Sequence, residues 1–292
     1  MAVTMSMTRL RAGLLALATL LAGTWCAQAQ PQGRPRPAFV TPTQIDREEG
    51  ERFLDTFRRS GMDGDYAWDF RLIVRPRRGE ETIYHGRLWG MFSQQGPLTR
   101  LRIAEPGGEP LDLLLQNGPR PRAWRWDAAA GKACEVTGAE LFTPVLAASD
   151  YTIFDLIMPF VYWQEWEYEG TVRVRGRPAH HFLMYPPDGD AARERAGGVR
   201  MVIDSAFNAL LRADWVSEQG RALRTFTVVS FKKVGEHWIV RTIDLANPVT
   251  RDRTRFEVSA AAVGLMLPAA MFTPAALGTE PEQPGPGAFT RL

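Results

Sequence analysis

The sequence predicts a mainly β (α+β) domain, a single curved antiparallel sheet with helices covering one face. Three observations predict it. From Tyr66 onward, apolar residues recur with a period of two in short runs, each bounded by Gly, Pro or Asn. Only two segments carry a helical pattern. The 292 residues are 45% hydrophobic and 10% aromatic, which supplies a real core and excludes wholesale disorder.

Residues 1–29 read as a secretory signal cleaved after Ala29. Arg9 and Arg11 form its basic start, Gly13 to Gly23 its apolar stretch, and Ala27-Gln28-Ala29 its small-x-small cleavage pattern. That stretch is shorter than the roughly 20 residues that span a bilayer, which argues against an uncleaved anchor. Trp25 before Cys26 argues against a lipidated cysteine. The expected destination is outside the cytoplasm, the periplasm in a Gram-negative cell. The formal charge of +2 belongs to the signal: without Arg9 and Arg11, the 35 basic residues become 33 against 33 acidic ones. Net charge therefore drives no binding, and no nucleic-acid partner is expected. Losing Cys26 leaves Cys134 without a disulfide partner. In Lys132-Ala133-Cys134-Glu135-Val136 it reads as a half-buried strand residue, not a nucleophile.

Residues 30–41 are a Pro-rich tether. A single domain is expected over residues 42–277. It opens on an amphipathic helix, Pro42 to Ser60, with Thr41 as N-cap, Gln44 in capping-box spacing and Gly61 as terminator. Ile45, Phe53, Leu54 and Phe57 share one side. The opposite face mixes acids with Arg, so the helix is expected on its own sheet and not on a membrane surface.

The first strand series is Tyr66–Arg75, Thr82–Phe92, Leu98–Ala104, Leu111–Gln116 and Ala123–Asp127, an antiparallel meander. Next comes Asp150 to Trp163 (DYTIFDLIMPFVYW), very apolar for a connection. It reads as a core helix, with Asp150 as its N-cap, that plugs the concave face and could also line a pocket. The second series is Trp166–Val174, Ala179–Tyr185, Val199–Asp204, Ala209–Ser217, Leu223–Lys232, Trp238–Leu245 and Thr254–Val258. Pro186 to Gly198 forms a charged loop, and residues 278–292 are expected to be a flexible tail.

Chemistry-bearing motifs are absent: no GxSxG, P-loop, GxGxxG or HExxH occurs. His180 and His181 sit side by side on a strand and so face opposite ways, which argues against a shared metal. Glu165, Glu167 and Glu169 alternate as a solvated strand face. Asp150 and Asp155 show no convergence that a sequence can certify. No catalytic residue, metal or cofactor is assigned. A hydrolase built on His180 or His181 ranks last.

Ala148-Ser149-Asp150-Tyr151-Thr152-Ile153-Phe154-Asp155-Leu156 resembles the small-Ser-Asp-aromatic-x-x-x-Asp-Leu signature of the outer-membrane lipoprotein-sorting protein family. The features after it follow the family's order. They are Gly176 to Phe182, the strand ending Ile203-Asp204, the Gly220 to Arg224 turn, Asn247 to Thr254, and Met271-Phe272-Thr273 to Leu277. The resemblance spans roughly Tyr66 to Leu277 and is clearest from Trp124 on. It implies an incomplete, strongly curved antiparallel β-barrel whose concave face is covered by helices. It also implies an exported, non-enzymatic protein that binds or carries lipid or lipoprotein acyl chains in a hydrophobic cavity, in outer-membrane lipoprotein sorting. Envelope membrane proteins are a further partner class. The alternative is an envelope sensor or scaffold of the same fold that binds a protein partner. Phe154, Leu156, Ile157, Phe160 and Trp163 are then expected as lid or lining. Trp68, Phe70, Trp89, Leu113, Trp124 and Trp126 are expected on the inner face of the sheet.

Overall fold

The structure, a computed structural model, describes residues 45–62, 64–105 and 107–292. The signal, the tether and Thr41 to Gln44 lie outside them; the helix expected from Pro42 begins only at Arg47, because Asp46 and not Thr41 caps it. Within the described residues, helix α1 (Arg47–Arg59) is capped by Asp46, whose Oδ1 accepts the Glu49 amide at 2.7 Å. Gly50 lets Trp166 lie against the helix, since a Cβ there would meet the indole at 2.4 Å. Leu54 and Phe57 enter the core.

Fourteen strands follow. The first six are β1 (Asp65–Arg75), β2 (Thr82–Ser93), β3 (Gly96–Ala104), β4 (Leu111–Gln116), β5 (Arg122–Asp127) and β6 (Lys132–Glu135). A connection across residues 136–164 carries a 3₁₀ turn (Gly138–Phe142), helix α2 (Ile153–Ile157) and a second 3₁₀ turn (Pro159–Tyr162). The next seven are β7 (Glu165–Val174), β8 (Arg177–Tyr185), β9 (Gly198–Asp204), β10 (Ala209–Val216), β11 (Ala222–Val234), β12 (His237–Ala246) and β13 (Arg253–Leu265). The last is β14 (Thr290–Arg291).

All pair antiparallel in one sheet, ordered β6-β5-β4-β3-β2-β1-β13-β12-β11-β10-β9-β8-β7, with β14 added beside β13. Two meanders thus meet where β1 pairs β13. The sheet ends at β6 and β7, which are not paired to each other, so it is an open, mainly β architecture as the sequence predicts. Because residues 136–164 leave one edge and enter at the other, they must cross the open side. That topology explains why a connection is so apolar.

Even-numbered Trp68, Phe70, Leu72 and Val74 of β1 face the main core. Gly86 and Gly90 of β2 leave room there for Phe70 and Tyr66; a Cβ on Gly86 would meet the Phe70 ring at 2.4 Å.

Three expectations need correction. Residues 278–292 are not loose among the described residues. The Gly278 amide bonds Asp112, Arg102 pairs with Glu280, Arg87 bonds Gln283, and β14 joins the sheet. Phe289 within it, and Leu277 just before it, have apolar surface to cover, which outweighs the Pro and Gly content. The last long strand runs to Leu265, well past Val258, because Ser259 to Ala262 are too small to carry an alternating pattern. Asp150 is not a cap; Thr152 is.

Candidate functional site: the lid over the concave face

The lid is Ile153 to Trp163, and local chemistry starts it. Thr152 Oγ1 accepts the Asp155 amide at 3.3 Å, while the Asp155 carboxylate accepts the Thr152 amide at 2.9 Å, a reciprocal capping box. The helix stops after five residues, where Met158 takes a left-handed conformation at φ 42° and Pro159 begins the 3₁₀ turn. A side chain at that φ is costly. Burial of Met158 in the core offsets it.

Phe154, Leu156, Ile157, Phe160 and Trp163 are each no more than 5% exposed and join one apolar cluster with the sheet. Phe154 is the hub. Its ring lies 4.9 Å from Phe142, 4.5 Å edge-on to Trp215, and 6.2 Å from both Phe160 and Trp163. Tyr151 is buried beside them with its hydroxyl unpartnered, and burial pushes its phenol above the ordinary range.

Polar groups from three distant elements fasten the lid. Arg224 of β11 holds Asp155 at 2.9 Å and the carbonyl of Asp150. Asn117, in the β4–β5 turn, donates to the carbonyl of Ile157. Arg58 of α1 donates to the carbonyls of Val161 at 2.8 Å and Trp163 at 3.0 Å. Desolvation lowers the Arg58 pKa and raises that of Asp150, with Arg224 opposing the latter shift. Burial pushes the Tyr162 phenol up to about 12. Beside the lid, a groove of about 380 Å³ is lined by Pro119, Pro159, Tyr162, Trp163 and Tyr185. A second, of about 710 Å³, shares Pro119 and Tyr162 and continues past Arg59 to Phe92.

The expected inner-face residues divide. Trp68, Phe70 and Leu113 lie in the cluster beneath the lid. Trp89, Trp124 and Trp126 do not; they pack on the opposite face with Leu114, under Met271, Phe272 and Leu277. β2 carries apolar residues on both sides and β4 is buried at all six positions, so alternation there could not choose a face; on β5 it groups Trp124 with Trp126 but does not say which face is inward. Arg58 and Asn117 carry no local motif, and Arg224 is read only as the end of the Gly220 to Arg224 turn, so none of the three is legible as a fastener. Cys134 sits half-buried on β6. His180 and His181 face apart: His180 Nδ1 is 2.9 Å from Tyr168 Oη, and His181 lies 4.0 Å from Glu169.

A family model described as "Uncharacterized protein" matches residues 114–279. No curated protein matches the chain. Among solved structures, a DUF1329 family protein from Desulfovibrio piger aligns at a TM-score of 0.68 and 15% identity, over 79% of this chain and 98% of that one. A domain from Vibrio parahaemolyticus described as an outer membrane lipoprotein-sorting protein aligns at 0.61 and 16%, over 72% and 89%. A LolA superfamily protein from Nitrosomonas europaea aligns at 0.59 and 12%, over 80% and 100%. At these identities the likeness is one of fold alone: an open, curved antiparallel barrel.

Proposed function

The chain belongs to the family whose model spans residues 114–279, and we propose that it is an exported, non-enzymatic periplasmic protein that binds or carries lipid or lipoprotein acyl chains. One observation carries this reading. The apolar segment Ile153 to Trp163 crosses the open side of the sheet and covers its concave face as a short, kinked lid. Burying each methylene of an acyl chain contributes about 0.8 kcal/mol, so about a dozen place about 10 kcal/mol at stake. Chemistry on that scale calls for a dry apolar surface and no reactive group. Phe154, Phe160 and Trp163 would move aside for the chain. Release would follow from a competing acceptor or from the lid's return.

Organic extraction of the purified protein, read by mass spectrometry, tests the reading together with uptake of a fluorescent fatty-acid probe. Bound acyl lipid or saturable uptake is expected. Neither lipid nor uptake would sink it.

The second reading, an envelope sensor or scaffold that binds a protein partner, draws on the packing itself. The concave face is filled by the lid's own rings, with Phe154 1% exposed. Under that reading a stable protein partner is recovered and the interior stays dry.

A further inference from the structure

We propose that the edge of β13 beyond Glu257 is a strand-acceptor site for an extended peptide, occupied in this structure by the chain's own C-terminus. The inference goes beyond the acyl reading and needs none of it. β12 follows β13 only from the Ala246–Arg253 pair to the Thr242–Glu257 pair. At that point Arg241 of β12 and Val229 of β11 fall in register shifts of their own pairing. Such bulges bend a ribbon, and the β11–β12 ribbon turns away from β13. Arg241 Nε lies there, buried and with no hydrogen-bond partner.

β13 meanwhile continues along β1 to Leu265. Its other edge is taken up by the last three residues. Ala260 opposes Arg291, Ala261 opposes Thr290, and the Leu292 amide donates to the Ser259 carbonyl at 2.9 Å. The two apolar side chains of this segment go to opposite sides of the sheet. Leu292 packs on the main core, and Phe289 packs on the outer cluster, with the Arg87 guanidinium 4.7 Å over its ring. The terminus therefore seals a seam in the wall.

The seated segment states the chemistry of its replacement. An extended backbone pairs with β13, an apolar residue fills the Leu292 position, and the exposed Thr290 and Arg291 add little specificity. A two-residue strand is a weak closure, and the 3₁₀ turn before it is flanked and interrupted by Gly285 and Gly287, whose backbones carry no Cβ restriction. Upstream, Arg100 and Asp112 hold Thr279 and Gly278, so the segment can leave the seam without leaving the sheet. An uncovered strand edge is a template for pairing.

The test compares the full chain with its Leu292→Asp variant, using a fluorescein-labelled peptide of residues 286–292 as probe. A carboxylate is poorly tolerated against the apolar cluster, so the variant's seam should open. The expected result is peptide binding about tenfold tighter to the variant than to the unchanged chain, with no competition from the same peptide carrying Leu292→Asp. Equal binding by both chains, binding by neither, or competition by the altered peptide overturns the proposal. Should the variant not fold, hydrogen exchange on the unchanged chain decides: the Leu292 amide should exchange at least about tenfold faster than the amides joining β13 to β1. Equal protection overturns it.

Discussion

Arg100 and Asp112 are each 1% exposed and pair at 2.8 Å on the outer face of the sheet, under the C-terminal segment. Arg100 also donates to the Thr279 carbonyl, and Asp112 accepts the Gly278 amide. A buried pair so fully satisfied adds less to stability than its removal takes away, because removal strands one charge in the dry interior. Asp112→Ala should cost about 3–5 kcal/mol by urea denaturation, and Arg100→Met with Asp112→Leu should cost less than that single change. A loss below about 0.5 kcal/mol for Asp112→Ala would contradict this account. His180 and His181 make a pH-dependent contribution of defined sign. Burial lowers both from the ordinary 6.5, with Glu49 opposing at His180 and Glu169 at His181. As pH falls through 6.5, the unfolded chain takes up protons before the folded one, and stability declines until the folded-state values are passed. Between about pH 7.5 and about pH 5, the unchanged chain should lose Tm relative to His180→Gln with His181→Gln. A constant gap would show that neither histidine is held neutral by the fold. The sequence placed these histidines on opposite strand faces correctly; it could not show Arg100 and Asp112 to be buried, since a charge reads as surface until its partner is found.

At the scale of elements, the lid divides into what local sequence dictates and what distance hides. Its apolar stretch is legible, whereas its cap reads as Asp150 in the sequence and is Thr152 in the structure. Its fasteners are not legible, because Arg58 lies 103 residues from the carbonyl it holds at Val161. A five-residue helix broken at Met158 has almost no stability of its own, since helix formation repays its nucleation only over longer runs. The lid's closure is therefore set by tertiary contacts. Replacing Arg224 by Ala removes the bonds to Asp155 and to the Asp150 carbonyl, and leaves the Asp155 carboxylate with its Thr152 contacts. Hydrogen exchange in Ile153 to Trp163 should speed up by about tenfold while β1 and β13 stay unchanged. An equal acceleration across the sheet would mean that Arg224 supports the whole fold and not the lid.

The whole molecule reverses the usual relation between a sheet and its faces. Period-two runs identified nearly every strand, and the turn residues between them set the meander. Facing failed on one half only: Trp68, Phe70 and Leu113 point inward, whereas Trp89, Trp124 and Trp126 point outward. Apolar residues outside are explained by the C-terminal segment that covers them, and Met271, Phe272, Leu277 and Phe289 were the traces of that cover in the sequence. The sheet is thus coated on both sides, by residues fixed through a buried ion pair outside and by a short lid inside. The outer cover is built of short 3₁₀ turns, whereas the inside is covered by α1 together with the five-residue lid helix, and under the acyl reading it is the lid's rings that a ligand would replace. Phe154→Ala distinguishes an acyl carrier from a scaffold. Removing a buried Phe costs about 3–5 kcal/mol when the space stays empty. In a carrier, a long-chain fatty acid should fill that space and restore much of the lost Tm, since a ligand at about 100 times its Kd contributes about 2.7 kcal/mol. In a scaffold the variant should stay destabilised at every fatty-acid concentration below micelle formation. Thermal melts of both chains with and without the fatty acid separate the two, and a Tm unmoved in either chain leaves the concave face as core.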